Sequence, residues 1–510
     1  MSGAGAAATG AMRGRRRASR ARLAAWCALS VLAGCQSGLR DTVAAIDDAY
    51  AGGRYEGAAS IATDAARRFE DDRMDRLLWW LEAGRTEQAA GRIPESIGWY
   101  DRAFDEVRPY LDSKAEATVT EALVTTAVNQ TMRTYRATPP ERVMLCALQG
   151  ANALCAGDLA RARVELNRAA DFQQDAAARF AKEINAAQDQ ANAAWAKEGW
   201  ASGVAGDALG KVRTAQERPQ APALGVGSFA NPFASYLRAA FLLSTSLDPG
   251  DRQNARSDLR GVQEMVPGLA PAADDIALVD AGGGLPAVTW VFFLTGLAPD
   301  YREFRLDIPI PVGNVNYVSG AFPVLRKRGD FVDGLALAGE GGARGVPIAD
   351  LDVIVEAEFD ARLPLIVTQE IISSAGKAAA TWAASQAAYQ QSGTAGALVQ
   401  IMGIVYQAAS TAADLRCWST MPKQVHLLRV PTPADGRLAL VRPDGAPLAS
   451  VEVDAGSPNV VLVTLPSARA QHAAVMRYRG GVPVGPPAPR AAPGAEGHAP
   501  VATAPQGTNP

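Results

Sequence analysis

The sequence predicts a multidomain mixed architecture: helical hairpins in the N-terminal half, then an α+β half in which a β-rich domain holds a packed helical pair. Three observations lead to this prediction. Alanine, the strongest helix former, recurs with other small residues throughout the first half. Alternating apolar residues and glycine-rich turns appear after residue 280. At 510 residues the chain also exceeds the size of one ordinary core.

The first 34 residues have the parts of a secretory signal peptide. Six arginines precede an apolar run from Leu23 to Leu32, and no acidic residue occurs before Asp41. The run has about ten residues, whereas a helix that crosses a bilayer needs about twenty. A removable signal peptide is therefore favoured over a membrane span. The run ends in the sequence LAGC, which resembles the lipobox of bacterial lipoproteins.

This resemblance implies cleavage between Gly34 and Cys35 and acylation of Cys35, including palmitate on the new amino terminus. Several acyl chains anchor a protein stably, whereas one chain binds only marginally. Gln36 in place of aspartate implies sorting to the outer membrane, and the same resemblance implies that the folded body faces the periplasm. The alternative is an ordinary secretory signal that contains a cysteine by chance.

Charge and cysteine content limit the classes of partner. Removal of residues 1–34 takes away six arginines and no acidic residue, so the mature chain is more negative than the net charge of −3 of the whole chain. A nucleic-acid partner is not expected, because phosphate binding needs a basic surface. The cluster at residues 326–328 (RKR) is interpreted as a solvated loop.

Cys146 and Cys155 lie too far apart on one helix for a disulfide, so both are expected in the core.

Segments of the first half share one spacing of small and aromatic residues. Residues 49–65, 80–103 and 145–169 follow it, and residues 231–262 form a degenerate copy. The spacing is that of the tetratricopeptide repeat, in which small residues let two helices approach and stacked hairpins share a core. The residues assigned to repeat packing are Trp80, Gly84, Gly91, Tyr100, Ala103, Gly150, Gly157, Ala162 and Ala169.

Two uses of these hairpins are open. They either form a concave surface that holds a peptide or partner protein, or an architectural array whose groove is filled by its own chain. A linking helix is expected over residues 172–200, so a compact helical domain is predicted instead of a regular superhelix. We predict a signal peptide at 1–34, a helical domain at 35–280, an α+β domain at 281–480 and a disordered tail at 481–510.

The second half alternates strands and helices. Strands are predicted near 287–299, 303–312 and 315–325, followed by a helix from about residue 355. An apolar helix at 396–412 is interpreted as buried instead of membrane-inserted, because it is short and contains two glutamines. The last strands, up to residue 466, are interpreted as a β-meander.

The order of these segments resembles one family: uncharacterised bacterial lipoproteins with tetratricopeptide-like hairpins and a β-containing C-terminal half. The segments ERVMLCALQGANALCAGDLARARVELNRA, NPFASYL, AFPVLR and ADLRCWSTMPKQVHLLRVPTP carry the resemblance, which covers roughly residues 35–470. Members are often encoded near lipoproteins that activate penicillin-binding proteins, which implies a role in envelope or peptidoglycan assembly. The long proline-rich tail departs from the family.

Catalytic and metal-binding patterns are scarce. The chain has 3 histidines, and none has metal-ligand spacing with a cysteine or carboxylate. Cys417, Asp414 and His426 are the nearest approach to a nucleophilic site, since a thiol needs an adjacent base. Alternating Glu356, Glu358 and Asp360 are interpreted as a solvated face.

We therefore expect a non-enzymatic lipoprotein of the outer membrane that scaffolds an envelope protein or peptide. No cofactor is expected apart from the lipid on Cys35, and the oligomeric state is left open. The alternatives are an envelope enzyme acting on peptidoglycan and a subunit of a secretion or surface-assembly complex.

Overall fold

The computed structural model describes residues 38–111, 134–196, 201–216, 230–312, 315–339, 342–390, 392, 396, 399 and 412–479. In these ranges, α-helices make up the part before residue 282. Strands follow from Val288, together with a further α-helix at Leu351–Tyr389. The helices are α1 (38–51), α2 (Tyr55–Arg68), α3 (Arg76–Ala89), α4 (Ile93–Val107), α5 (Pro139–Cys155), α6 (Leu159–Ala196), α7 (Ala201–Ala215), α8 (Pro232–Thr245), α9 (Asp251–Met265), α10 (Ala270–Ala281) and α11 (Leu351–Tyr389).

The strands belong to three sheets. They are β1 (Val288–Thr295), β2 (Asp300–Val312), β3 (Val315–Arg326), β4 (Ala336–Leu337), β5 (Val346–Asp350), β6 (Gln424–Pro431), β7 (Arg437–Val441), β8 (Pro447–Glu452), β9 (Asn459–Leu465) and β10 (Ala474–Arg479). A five-stranded sheet has the order β10-β9-β1-β6-β5, β2 and β3 form a long hairpin, and β4-β7-β8 form a small sheet. The predicted fold class, helical hairpins followed by an α+β half, is confirmed.

The helical hairpins share one kind of turn. Gly53, Gly91 and Gly157 follow α1, α3 and α5 with φ of 74°, 78° and 80°. Each donates its N–H to a carbonyl in the last turn of the preceding helix. Because L side chains rarely adopt this left-handed conformation, glycine is the residue that ends the first helix at each turn.

The predicted meander is wrong. Strands β6 and β9 both flank β1, with β6 antiparallel and β9 parallel to it. Strands β7 and β8 leave this sheet and pair with β4. The sequence pattern of alternating residues specifies strands but not their partners, because long-range pairing depends on which apolar faces must be covered.

The five-stranded sheet lies between two layers. On one face Trp290 and Phe292 pack in the same core as the helices. On the other face Val291 and Phe293 pack against the small sheet. This alternation explains why β1 is buried along its whole length and has no polar face in its sequence.

The main hydrophobic core crosses the domain boundary predicted at residues 280/281. The rings of Phe233 and Tyr236, on α8, pack edge-on against Phe292 on β1, at 5.6 and 6.0 Å between ring centroids. Buried Asp275 on α10 accepts hydrogen bonds from the Tyr236 hydroxyl at 2.6 Å and the Trp290 indole at 2.8 Å. Arg429 of β6 pairs with the same carboxylate at 2.6 Å. The two halves are therefore packed as one body.

Two helix expectations differ from the structure. The linking helix predicted at 172–200 is the continuation of α6, which runs without a break from Leu159 to Ala196. Most of the apolar helix predicted at 396–412 lies outside the described residues, as does the tail at 481–510. In the described part of the chain, each helix is too short or too polar to cross a membrane.

Candidate functional site: the groove of the helical hairpins

Small residues bring the helices of each hairpin together at the positions that the repeat pattern singled out. A Cβ on Gly84 would overlap the Tyr100 ring, and one on Gly150 would lie 2.7 Å from Leu166 Cδ2. Ala103, Ala162 and Ala169 are buried at the same interfaces. Trp80 is also buried, with the Arg76 guanidinium 5.4 Å from its ring centroid.

We expect Gly84→Ala to destabilise the protein by about 1–3 kcal/mol, because the added methyl group must displace the Tyr100 ring in a closely packed core. Gly98→Ala is the matched control: Gly98 is also helical and has nothing within 4 Å of the added Cβ. This control should be neutral or stabilising by about 0.5–1 kcal/mol. Chemical denaturation of both variants tests the difference, and equal stabilities would contradict the packing described.

The groove between the hairpins is occupied by the protein's own chain. Residues 413–423, called the strap here, run across α3 and α5 just before strand β6. Arg416 pairs with Asp75, the residue before α3, at 2.7 Å. The Trp418 side chain is 1% exposed and lies edge-on to Tyr100, at 6.0 Å between ring centroids. The structure thus has the second of the two arrangements considered, a groove filled from within.

Three carboxylates from different helices hold the strap. Glu141 of α5 accepts the Trp418 N–H at 2.9 Å. Glu82 of α3 accepts the Ser419 N–H and the Thr420 hydroxyl, both at 2.6 Å. Asp47 of α1 accepts the Ser419 hydroxyl at 2.5 Å. These bonds match carboxylate oxygens to the peptide N–H and hydroxyl donors of the turn at residues 418–421, in which the Met421 N–H donates to the Trp418 carbonyl.

Burial shifts the proton affinity of two of these acids. Glu82 is fully buried, and the loss of hydration, with the nearby Asp47 charge, raises its pKa to about 7. Burial also raises the pKa of Asp47, against the lowering effect of Arg328. Acids whose ionised forms are disfavoured in this way commonly mark functional sites or structural ion-pair networks. Here they bind the strap.

The basic cluster at 326–328 is not the solvated loop that was expected. Arg328 is 14% exposed and pairs with Asp47 at 2.9 Å. Lys327 pairs with Glu356 at 2.8 Å, and Arg326 pairs with Asp300. Arg328 joins the helical half to the second half, whereas Lys327 and Arg326 pair with acids of the second half itself.

The acids at 356–360 do not form the single solvated face that their alternation predicted. They lie on helix α11, in the region where a helix was predicted, and residues two apart on a helix face different directions. Glu358 is 1% exposed and pairs with Arg362 at 3.0 Å. Burial raises the pKa of Glu358.

The candidate nucleophilic site is not assembled. Asp414 pairs with Arg416 at 2.7 Å. His426 lies on β6 with its Nε2 atom 3.6 Å from Asp333. Burial raises the pKa of the Cys417 thiol well above its ordinary value and lowers that of His426. A thiol nucleophile needs the opposite shift and a hydrogen-bonded base.

The remaining candidate residues have simpler environments. Cys146 and Cys155 are buried free thiols. Gly34 and Cys35 lie outside the described residues. Across the ranges that the structure covers, His, Cys, Asp and Glu side chains form no group of three that could hold a metal ion.

Sequence reasoning missed Asp47, Glu82 and Glu141 as the residues that hold the strap. Two signals were present. Glu82 interrupts the apolar run of α3 (LLWWLEAG), and Thr138 with Glu141 forms a capping box that starts α5. A capping box explains Glu141 locally. Its second role, accepting the N–H of a residue far away in the sequence, has no local signal.

Comparison with known proteins adds little. No protein-family model and no curated protein matches the chain. Among solved structures, the chain is similar to a tetratricopeptide repeat protein from Parabacteroides merdae, with 13% identity and a TM-score of 0.13. That similarity covers 47% of this chain and 98% of the other. At this level it carries no argument about function.

Proposed function

We propose that the protein is a lipid-anchored scaffold of the cell envelope, held at the outer membrane by acylated Cys35 and facing the periplasm. One observation carries the proposal: the described part of helix α1 already includes residue 38, so at most Gln36 and Ser37 separate Cys35 from the folded body. Such a short link holds the body close to the bilayer, because each extended residue spans at most about 3.6 Å. The family resemblance supports a role in envelope or peptidoglycan assembly.

The scaffold binds its partner outside the groove of the hairpins. The strap already occupies that groove, and its Trp418 side chain is inaccessible to solvent. A partner protein therefore contacts the outer surfaces of the hairpins or of the second half. Crosslinking in native envelopes, followed by capture of the full-length protein, should enrich the same protein partner repeatedly. Failure to enrich any protein over a capture from cells without the chain would contradict the scaffold.

We expect Cys35→Ala to abolish acylation and to release the folded body from the membrane fraction. Mass spectrometry of the amino-terminal peptide and fractionation in high salt check the two effects. Cys27→Ala is the matched control, since it changes a cysteine of the signal segment and should leave the anchor intact. An unmodified amino terminus in the wild-type protein would contradict the tether.

The scaffold is proposed to be non-enzymatic. The support for this is that Asp414 pairs with Arg416, that His426 Nε2 lies 3.6 Å from Asp333, and that burial raises the pKa of the Cys417 thiol. Purified full-length protein incubated with peptidoglycan should release no muropeptides. Release that disappears in Cys417→Ala and His426→Ala would instead establish an envelope hydrolase.

A further inference from the structure

A lysine and an aspartate are in direct contact in the interior, where the strap joins the five-stranded sheet. Lys423 is the last residue of the strap, and its Nζ donates to Asp352 in the first turn of helix α11. The side chains are 9% and 6% exposed, and the residues are 71 positions apart along the chain. A buried amine therefore faces a buried carboxyl, and this pair has no part in the proposed function.

Hydrogen bonds fix the backbone on both sides of this contact. The Lys423 N–H donates to the Thr295 carbonyl at 3.1 Å, and the Lys423 carbonyl accepts the Leu351 N–H at 2.7 Å. Asp350 caps α11 by accepting the Asp352 N–H at 3.0 Å. Because the two chain segments are bonded to each other, the amine and the carboxyl are held together as an intramolecular pair. Such positioning greatly raises the rate of a reaction over that of free groups in solution.

The path of the lysine side chain is set by close packing. Its stem lies against Gly296, where an added Cβ would be 2.8 Å from Lys423 Cβ and 3.2 Å from Cδ. The Phe331 ring covers the end of the chain, with its centroid 5.2 Å from Nζ. Among the described residues, Asp352 is the hydrogen-bond partner of Nζ. The amine is thus screened from water and directed at one carboxyl, and a lysine amine that has lost a proton is a nucleophile.

The carboxyl of Asp352 is poorly compensated as an ion. Its Oδ2 atom accepts from Nζ, whereas Oδ1 is buried and has no hydrogen-bond partner among the described residues. Burial raises the pKa of Asp352 to about 6, against the lowering effect of Lys423. A buried ion pair is favourable only when its remaining lone pairs are also bonded. The protonated carboxyl, which is the form that an amine attacks, is therefore accessible at this position.

We propose that Lys423 and Asp352 condense to an isopeptide bond between the strap and helix α11. The Nζ ammonium gives one proton to Asp352 Oδ2 within the contact, which leaves a neutral amine and a neutral carboxyl. Nζ then attacks Cγ, a second proton passes from Nζ to the departing hydroxyl, and one water molecule leaves. The Nζ–Cγ bond forms and the Cγ–Oδ2 bond breaks, without an oxidant or a cofactor. Two buried charges disappear in this step, together with the cost of keeping them dehydrated.

The bond closes the chain from Asp352 to Lys423 into a ring that contains helix α11 and the strap. Trp418, which fills the groove of the hairpins, lies within this ring. The strap is then fastened covalently at its end, in addition to the hydrogen bonds that Glu82 and Glu141 accept. A cross-link of this kind acts as a disulfide does, mainly by restricting the unfolded chain.

Mass spectrometry of the purified full-length protein tests the proposal. The wild-type mass should be lower, by one water molecule, than the mass calculated for its chain with any lipid included. Trypsin digestion of the denatured protein should give residues 345–362 and 417–429 as one branched peptide, whose fragments locate the bond between Asp352 and Lys423. A full wild-type mass, with linear peptides cleaved after Lys423, would overturn the proposal and would leave the anchor at Cys35 unaffected.

Two variants identify the source of the missing water. Lys423→Arg keeps the positive charge but removes the nucleophile, because a guanidinium group stays protonated, so its mass should be the full one. Lys327→Arg is the matched control, since Lys327 also pairs with an acid, Glu356, at 2.8 Å. This control should keep the mass deficit and the branched peptide. A water molecule that is still lost at Asp352 in Lys423→Arg would show a cyclic imide of the aspartate alone and would overturn the cross-link. If Lys423→Arg failed to fold, the branched peptide of the wild type would decide.

Discussion

Trp418→Ala is expected to lower the free energy of unfolding by about 3–5 kcal/mol, as for other large aromatic residues removed from a core. The indole is fully buried against Tyr100, and its Nε1–H donates to the Thr420 hydroxyl at 3.1 Å. Truncation leaves a cavity between the hairpins and the strap. Urea denaturation, with circular dichroism as the signal, measures the loss.

The control for this prediction is Trp382→Ala, the same substitution at a side chain that is 39% exposed. A surface change of this kind is usually worth within about 0.5 kcal/mol. If the two variants lost equally little stability, the strap would not be a fixed part of the groove. In that case the concave surface would be open to peptides from outside.

Raising the pH from 5 to 8 is expected to destabilise the protein through Glu82. Its folded pKa of about 7 lies above the ordinary value of 4.5. Below pH 4.5 the Glu82 carboxyl is protonated in both the folded and the unfolded protein, so it does not lower the free energy of unfolding. Between the two values the unfolded chain ionises first, so stability falls with rising pH, by about 1.36 kcal/mol per pH unit and roughly 3 kcal/mol in all.

Glu82→Gln should remove this part of the pH dependence, because glutamine keeps an oxygen that accepts the Ser419 N–H and does not ionise. Unfolding free energies of the wild type and the variant at pH 5 and pH 8 give the difference. Glu95→Gln, at an exposed position on α4, is the control and should leave the dependence unchanged. A wild-type slope that persists in Glu82→Gln would show that other acids carry it.

The closed groove changes how the hairpins should be understood. Their small residues and turn glycines follow the spacing of a peptide-binding array, but their inner surface is used to fasten the second half of the chain. Carboxylates at Glu82 and Glu141 bind the strap through the N–H groups of Ser419 and Trp418, much as a peptide ligand would be bound. The segment belongs to the same chain, so the interaction serves assembly of the fold.

Local patterns were sufficient for the elements whose causes are local. The spacing of small residues predicted the hairpins because the contacts that it reflects are local in sequence. Gly84, for example, contacts Tyr100 on the second helix of the same hairpin. Alternation predicted the strands, since residues two apart share a face. The composition of the first 34 residues likewise predicts a signal peptide and an acylated cysteine, which remain predictions.

Tertiary structure alone decided what joins these elements. Sheet order, the burial of Glu358 and the ion pairs of residues 326–328 depend on partners that are distant in sequence. The strap is the clearest case, because its sequence shows apolar and polar residues without a period, and only the carboxylates of three helices give it a place. Long-range contacts of this kind satisfy buried donors and charges, and no local pattern records where their partners come from.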